Sequence, residues 1–143
     1  MAKKEDAQQI DLINYIKPNH PSLIVMSNLA GVKLPPGLAV KVAKMQTHTG
    51  MPDCVIFRGR GGYFGLGLEL KRSYDKFLKL DSTFRKLSHV TKQVAMLRQL
   101  RFEGYYTDMV TLQGAIDTLE WYLRLPPTYQ MPDKPLFEGR NIK

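Results

Sequence analysis

Two carboxylates and a lysine occupy positions that favour metal-assisted chemistry on a phosphate. Asp53 directly precedes the apolar run CVIF, and Glu69 lies inside the apolar run LGLEL. Charged side chains seldom occupy such runs without a partner. If the two runs pair as antiparallel strands, Asp53 comes near Glu69, and both carboxylates converge on one divalent cation. Lys71 follows Glu69 by two residues and so projects to the same face, which places an ammonium beside the metal-bound water or the phosphate of a phosphodiester to be cleaved.

A structural interpretation competes with this one. Asp53 can cap a turn after Pro52, and Glu69 with Lys71 can form a simple ion pair at a strand end. A spaced D…ExK pattern alone matches many unrelated chains by chance. Its context favours the chemical interpretation, because the acid follows Gly50 and Pro52, a glycine-rich turn joins the two runs, and a helix and a strand come next.

The hydrophobic spacing predicts the elements that must position these residues. Their order is helix, strand, helix, two-stranded hairpin, helix, strand and helix. The predicted ranges are 5–16, 22–27, 38–46, 54–57 with 66–70, 88–104, 105–111 and 115–125. We expect the strand at 22–27 to be buried and residues 72–87 to form a solvated loop. This order predicts the α/β class, with a mixed central sheet flanked by helices.

Length and composition limit the possible classes of protein. A chain of 143 residues suits one compact domain, here 1–125, followed by a proline-rich arm over 126–143. No run approaches the ~18 apolar residues of a membrane helix, and the first residues lack the apolar core of a signal peptide, so we expect a soluble, cytoplasmic protein. The single cysteine, Cys54, makes no internal disulfide and is expected to be inert core.

The net charge of +8 favours an anionic partner, nucleic acid first. Residues 71–92 carry +5 of it and are expected to follow a phosphate backbone. The aromatic residues among them either stack on bases or anchor the segment to the domain. The candidate DNA contacts are Arg72, Lys76, Lys79, Arg85, Lys86 and Lys92, with Arg58 and Arg60 in the hairpin turn as a second group.

Several motifs in order resemble one known family. The runs GMPDCVIF, GGYFGLGLELKR and SHVTKQVAMLRQLRFEGYYTDMV resemble the VRR-NUC domain of the PD-(D/E)XK nuclease superfamily. The resemblance covers residues 5–124 and implies a restriction-endonuclease-like core that hydrolyses DNA with Mg²⁺ or Mn²⁺. The chain departs from the family in the long segment between Arg72 and Ser88.

The resemblance also implies residue roles. Asp53 and Glu69 would hold the metal, and Lys71 would stabilise charge or orient the attacking water. Gln93 matches the glutamine on the helix after the ExK strand, although a buried structural amide is its alternative. Glu5, which forms an E-x-x-x-Q pair with Gln9, would be an accessory metal ligand, and Asp6 competes with it. The nearby His89 is expected to be a surface residue or a phosphate contact.

Stand-alone proteins of this resemblance class are often viral, and they act as dimers on branched DNA such as four-way junctions. The resemblance therefore implies a phage-type homodimer in a bacterial host cell. Two other functions stay open: a catalytically silent nucleic-acid-binding module, and a sequence-specific restriction-type nuclease. No base-reading element supports the latter. Intact D…ExK residues argue against the silent module, since a pure binder needs no buried acids facing a phosphate.

Overall fold

The computed structural model describes residues 5–29 and 32–129, with side chains from residue 7 onward. Within them the elements follow the predicted order, which confirms the mixed α/β class. The helices are α1 (Glu5–Asn19), α2 (Pro36–Lys44), α3 (Ser88–Phe102) and α4 (Leu112–Leu123), the strands are β1 (Val25–Ser27), β2 (Cys54–Ile56), β3 (Leu66–Leu70) and β4 (Tyr106–Val110), and a 3₁₀ helix spans Tyr74–Lys76. None of these helices is long and apolar enough to cross a membrane.

The four strands form one mixed sheet in the order β1-β2-β3-β4. β2 pairs antiparallel with both β1 and β3, whereas β3 and β4 run parallel with α3 as their connection. All five residues of the central strand β3 are buried. A strand covered on both faces is expected to be almost wholly apolar, so Glu69 within it is the exception that requires explanation.

The two faces of the sheet pack against different helices. Leu68 and Leu70 of β3 join the main core with residues of α1 and α4, including Leu12 and Leu119. The opposite face packs against α3. Because strand side chains alternate, Glu69 and its neighbour Lys71 project to the α3 face.

The sequence prediction for β1 is wrong about burial. Ile24 and Met26 are 69% and 54% exposed, although their run reads as a buried strand. The physical reason is position in the sheet: β1 lies at the edge, with β2 as its only partner strand in the described residues. Sheet order is a long-range property that an apolar run does not encode.

The prediction of a solvated loop over 72–87 needs correction at one point. Phe77 is fully buried and forms a second core with Val90, Leu97 and Met109. The rings of Tyr74 and Phe84 lie 5.5 and 6.4 Å from that of Phe77. The aromatic residues thus anchor the segment to the domain, while residues 79–89 are exposed as expected.

Some element ends also differ from the prediction. α1 continues through Pro18 to Asn19, and α4 starts three residues earlier than expected because the Thr111 hydroxyl accepts a hydrogen bond from the Gly114 amide and caps it. Beyond α4, Pro127 bridges to Arg60. The remainder of the predicted arm, residues 130–143, lies outside the described residues.

Candidate active site

The turn before β2 carries Asp53 to the sheet through two close backbone approaches. Gly50 has φ +79°, and a Cβ there would lie 3.4 Å from the Lys92 carbonyl oxygen of α3. Pro52 lies over Gly67 of β3, where a Cβ would be 3.2 Å from the proline ring. Glycine at these two positions therefore lets the turn fit between α3 and β3.

Asp53 accepts hydrogen bonds from three separate parts of the chain. Its carboxylate Oδ2 accepts from the Leu70 amide at 2.7 Å, which places the acid beside the residue between Glu69 and Lys71. Its backbone oxygen accepts from the Asn28 amide at 2.7 Å and from Gln9 Nε2 at 2.8 Å. The carboxylate is thus positioned by β3, and the backbone behind it by α1 and the residue after β1.

Register brings the second acid to the same place. Cys54 pairs with Leu68, and one further step of this antiparallel register sets Asp53 opposite Glu69. The Glu69 side chain is only 3% exposed, and its Oε1 accepts a hydrogen bond of 2.8 Å from Gln93 Nε2. Lys71 Nζ lies 4.0 Å from the same oxygen, in a side chain that is 5% exposed.

The structure therefore brings together Asp53, Glu69, Lys71 and Gln93. The cluster combines carboxylates, an ammonium and an amide, with no histidine or cysteine among these four residues. Oxygen ligands of this kind suit hard cations such as Mg²⁺ and Mn²⁺, and Mg²⁺ typically uses one or two carboxylates together with waters and substrate phosphates. No group of three or more His, Cys, Asp or Glu side chains suited to a metal occurs within 5–29 and 32–129. Two protein carboxylates are enough for a cation that substrate oxygens complete.

One further atom of the cluster can accept a hydrogen bond from a bound molecule. Gln93 Oε1 is buried without a hydrogen-bond partner among the atoms described. A buried carbonyl acceptor without a partner is unfavourable unless water or a ligand supplies a donor. Gln93 donates to Glu69 through one end of its amide and leaves the other as an acceptor for a water in the site.

The basic residues predicted to contact DNA divide by location. Arg72, Lys76, Lys79, Lys86 and Lys92 are exposed. Arg85 is also exposed, but its Nε donates to the Asp75 backbone oxygen at 2.7 Å and so braces the segment.

Arg58 and Arg60 lie in the turn that follows β2, at the end of this strand opposite to Asp53. Their guanidinium groups donate to Ser22 Oγ at 3.1 Å and to the Gly59 carbonyl oxygen at 2.9 Å. The structure does not bring this pair to the acid cluster.

The remaining residues considered from the sequence lie at different places in the structure. The Glu5 side chain lies outside the described residues, as does that of Asp6. His89 is exposed at the start of α3. Cys54 is fully buried, and burial raises the pKa of its thiol to about 11, as expected for inert core.

Sequence reasoning missed Asn28 and the way in which Gln9 acts. Asn28 donates its amide to Asp53 and its side chain to the Met51 carbonyl oxygen at 3.1 Å, so it ties the turn to β1. Gln9 was paired with Glu5 by resemblance, yet its amide bonds the backbone oxygens of Asp53 and Asn28. A glutamine on the buried side of the first helix was the available signal, but its partner Asp53 is 44 residues away.

Comparison with known proteins shows a likeness in structure. No family model and no curated protein matches the chain. A solved structure described as a VRR_NUC domain protein is similar with a TM-score of 0.61 and 20% identity. The match covers 94% of this chain and 99% of that one. At this identity the likeness establishes that the two chains share a fold over nearly their whole length.

Proposed function

We propose that this protein is a divalent-metal-dependent DNA endonuclease with a PD-(D/E)XK core. The observation that carries the proposal is the joining of Asp53 to β3 through the Leu70 amide, between Glu69 and Lys71. Pro52-Asp53 and Glu69-x-Lys71 reproduce the letters of the motif in the order and on the hairpin that it requires. The shared fold with a VRR_NUC domain protein supports the same function.

Asp53 and Glu69 are the residues that would hold the cation, with Glu5 as the third acid suggested by resemblance. A bound Mg²⁺ or Mn²⁺ supplies Lewis acidity to the phosphoryl group and to the water that attacks it in line. The paired carboxylates also require a compensating positive charge, because carboxylates crowded into one buried site repel each other.

The other side chains act on charge and on the attacking water. Lys71 Nζ stabilises negative charge that develops on the phosphate. Gln93 fixes the orientation of Glu69 through its Nε2 and offers Oε1 to a hydrogen of the attacking water. Gln9 and Asn28 hold the Asp53 backbone, so the carboxylate meets the substrate without reorganisation.

The proposed substrate and oligomeric state follow the resemblance to stand-alone nucleases. Branched DNA, such as a four-way junction, is the preferred substrate, and the active form is a homodimer. The exposed cations that follow the ExK strand contact the phosphate backbone without reading sequence, in line with the net charge of +8.

The test uses the full chain with Mg²⁺, Mn²⁺ or EDTA on labelled linear, flapped and four-way-junction DNA. We expect cleavage with either cation, fastest on the junction, and none in EDTA. Glu69→Gln should reduce the rate by at least about 100-fold, because the amide keeps an oxygen for Gln93 but loses the charge. Sedimentation of the protein with and without junction DNA measures the assembly.

Two results would contradict the proposal in different ways. Tight DNA binding without cleavage by either cation identifies a catalytically silent binding module. Cleavage of linear duplex at one fixed sequence, with no preference for branches, identifies a restriction-type nuclease.

A further inference from the structure

A cavity of about 360 Å³ opens beside the acid cluster, between β1, β2 and α2. Val55 and Met26 pair with each other across β1 and β2 and both line it. Val55 lies two residues beyond Asp53, so the two side chains project to the same face of the sheet, about 7 Å apart along the strand. The cavity is therefore a direct neighbour of the candidate active site.

The lining of this cavity is mostly apolar and suits an uncharged, planar ligand. Val42 of α2 and Met45 directly after this helix form one wall, and Met51 and Pro52 connect it to the turn that carries Asp53. His48 lines it as well, but no Asp, Glu, Lys or Arg does, so the lining holds no permanently charged side chain. Methionine side chains make favourable sulfur contacts with aromatic rings and adapt to their shape.

Polar groups occur in the same lining and match the edges of a nucleobase. Gln46 and Thr47 supply amide and hydroxyl groups, which hydrogen-bond to the exposed edges of unpaired bases. The volume falls in the range of specific small-ligand sites.

The charge around the cavity attracts a nucleic-acid strand. Residues 32–52 contain Lys33, Lys41 and Lys44 and no acidic residue. Two of these lysines belong to α2, and α2 buries none of its residues in the domain. A phosphate backbone lying along α2 would bring its bases over the cavity.

We propose that this cavity receives one unstacked nucleobase of the DNA strand, next to the phosphate that is cleaved. The inference rests on the proposed nuclease function and deepens it, because it specifies what the substrate must present at the cut. Unstacking is least unfavourable where a base is already unpaired, so branch points, flaps and single strands satisfy the cavity more readily than regular duplex.

The first test needs only the unaltered protein. A series of DNA substrates carries a single abasic residue that moves one nucleotide at a time across the cleavage position. Binding is measured in EDTA and cleavage in Mg²⁺. We expect about a tenfold loss of affinity at one position within about two nucleotides of the cut, as when one stacked base is removed, and less than twofold elsewhere. The fluorescent base 2-aminopurine at that position should brighten on binding, since it leaves the stack.

The second test uses variants of α2 and of Met45, the residue that follows it. Val42→Ser with Met45→Ser removes one wall of the cavity, and Val40→Ser is the matched control because it is 55% exposed on the same helix and does not line the cavity. The double variant should weaken binding of the normal substrate about tenfold and lose its sensitivity to the abasic residue. The control should behave as the unaltered protein, and circular dichroism checks that all three remain folded.

The outcomes separate this inference from the proposed function. A flat abasic series in the binding assay overturns the cavity assignment whether or not the protein cleaves DNA. A position-specific loss that persists unchanged in the double variant overturns it as well. If the series is flat and the double variant changes from dimer to monomer in sedimentation, the cavity is instead an interface between copies. Absence of metal-dependent cleavage on every substrate contradicts the nuclease proposal alone.

Discussion

Replacing Lys71 with methionine should strongly destabilise the protein when no divalent cation is present. Lys71 Nζ lies 4.0 Å from Glu69 Oε1, and both side chains are almost fully buried. At that distance and an effective dielectric constant of 20, the attraction is ~4 kcal/mol. When one partner is removed from a buried ion pair, the other charge loses this compensation. We therefore expect the free energy of unfolding to fall by about 3–5 kcal/mol.

The double variant Glu69→Gln with Lys71→Met separates the charge effect from packing. Neither remaining side chain is charged, and glutamine keeps an oxygen for Gln93. About half of the lost stability should therefore return, because an uncharged pair in a buried site is often as stable as the ion pair it replaces. Lys76→Met is the control, since that lysine is exposed, and should change stability by less than about 0.5 kcal/mol.

Urea unfolding followed by circular dichroism, in EDTA and in Mg²⁺, measures all three variants. Mg²⁺ should raise the free energy of unfolding of Lys71→Met by ~1.4 kcal/mol when the free Mg²⁺ concentration is about ten times its dissociation constant. It should not raise the free energy of unfolding of the double variant. A loss below about 1 kcal/mol for Lys71→Met in EDTA would refute the reasoning, since the pair would then behave as a solvated one.

Three further predictions concern other parts of the chain. Gln9→Leu removes the donor to the backbone oxygens of Asp53 and Asn28, so we expect a free energy of unfolding lower by about 1–3 kcal/mol. We also expect a lower kcat with an unchanged KM, because Gln9 positions Asp53. A changed KM with a normal kcat in steady-state cleavage would contradict this positioning role. Because burial raises the pKa of the Cys54 thiol to about 11, a thiol reagent at pH 8 should label Cys54 only after the protein is unfolded in urea. Rapid labelling of the folded protein would contradict the burial of this thiol. A variant with Gln at Lys76, Lys79 and Lys86 keeps Arg85, which braces the segment. It should bind every DNA more weakly, and the slope of log affinity against log salt should flatten by roughly 0.9 for each lost phosphate contact. An unchanged slope in a salt titration would exclude this segment from the DNA interface.

Local rules were sufficient to predict the convergence of the acids. Alternation along LGLEL sets Glu69 and Lys71 on one face, and a hairpin with a glycine-rich turn brings Asp53 opposite them. The inward position of Gln93 follows from helical spacing relative to Val90 and Leu97. These relations extend over a few residues or one hairpin, so the sequence contains them directly.

Features that depend on the assembled sheet were beyond sequence reasoning. The exposure of Met26 results from the edge position of β1, and the burial of Phe77 from a hydrophobic site that α3 and β4 create together. The bond from Gln9 to Asp53 joins residues 44 positions apart. The cavity beside Val55 likewise forms only where residues of β1, β2 and α2 line one space.

The most direct test of the candidate active site compares single-turnover cleavage of a four-way junction by the unaltered protein, Asp53→Asn and Asp108→Asn across a Mg²⁺ titration. Both acids accept a backbone amide hydrogen bond within the same sheet, at 2.7 Å for Asp53 and 2.8 Å for Asp108, and asparagine retains an accepting oxygen at each position. We predict that Asp53→Asn lowers the maximal rate by at least about 100-fold and requires more Mg²⁺, whereas Asp108→Asn cleaves as the unaltered protein does. A folded Asp53→Asn protein with the full rate and an unchanged Mg²⁺ dependence would contradict the assignment of this cluster as the active site.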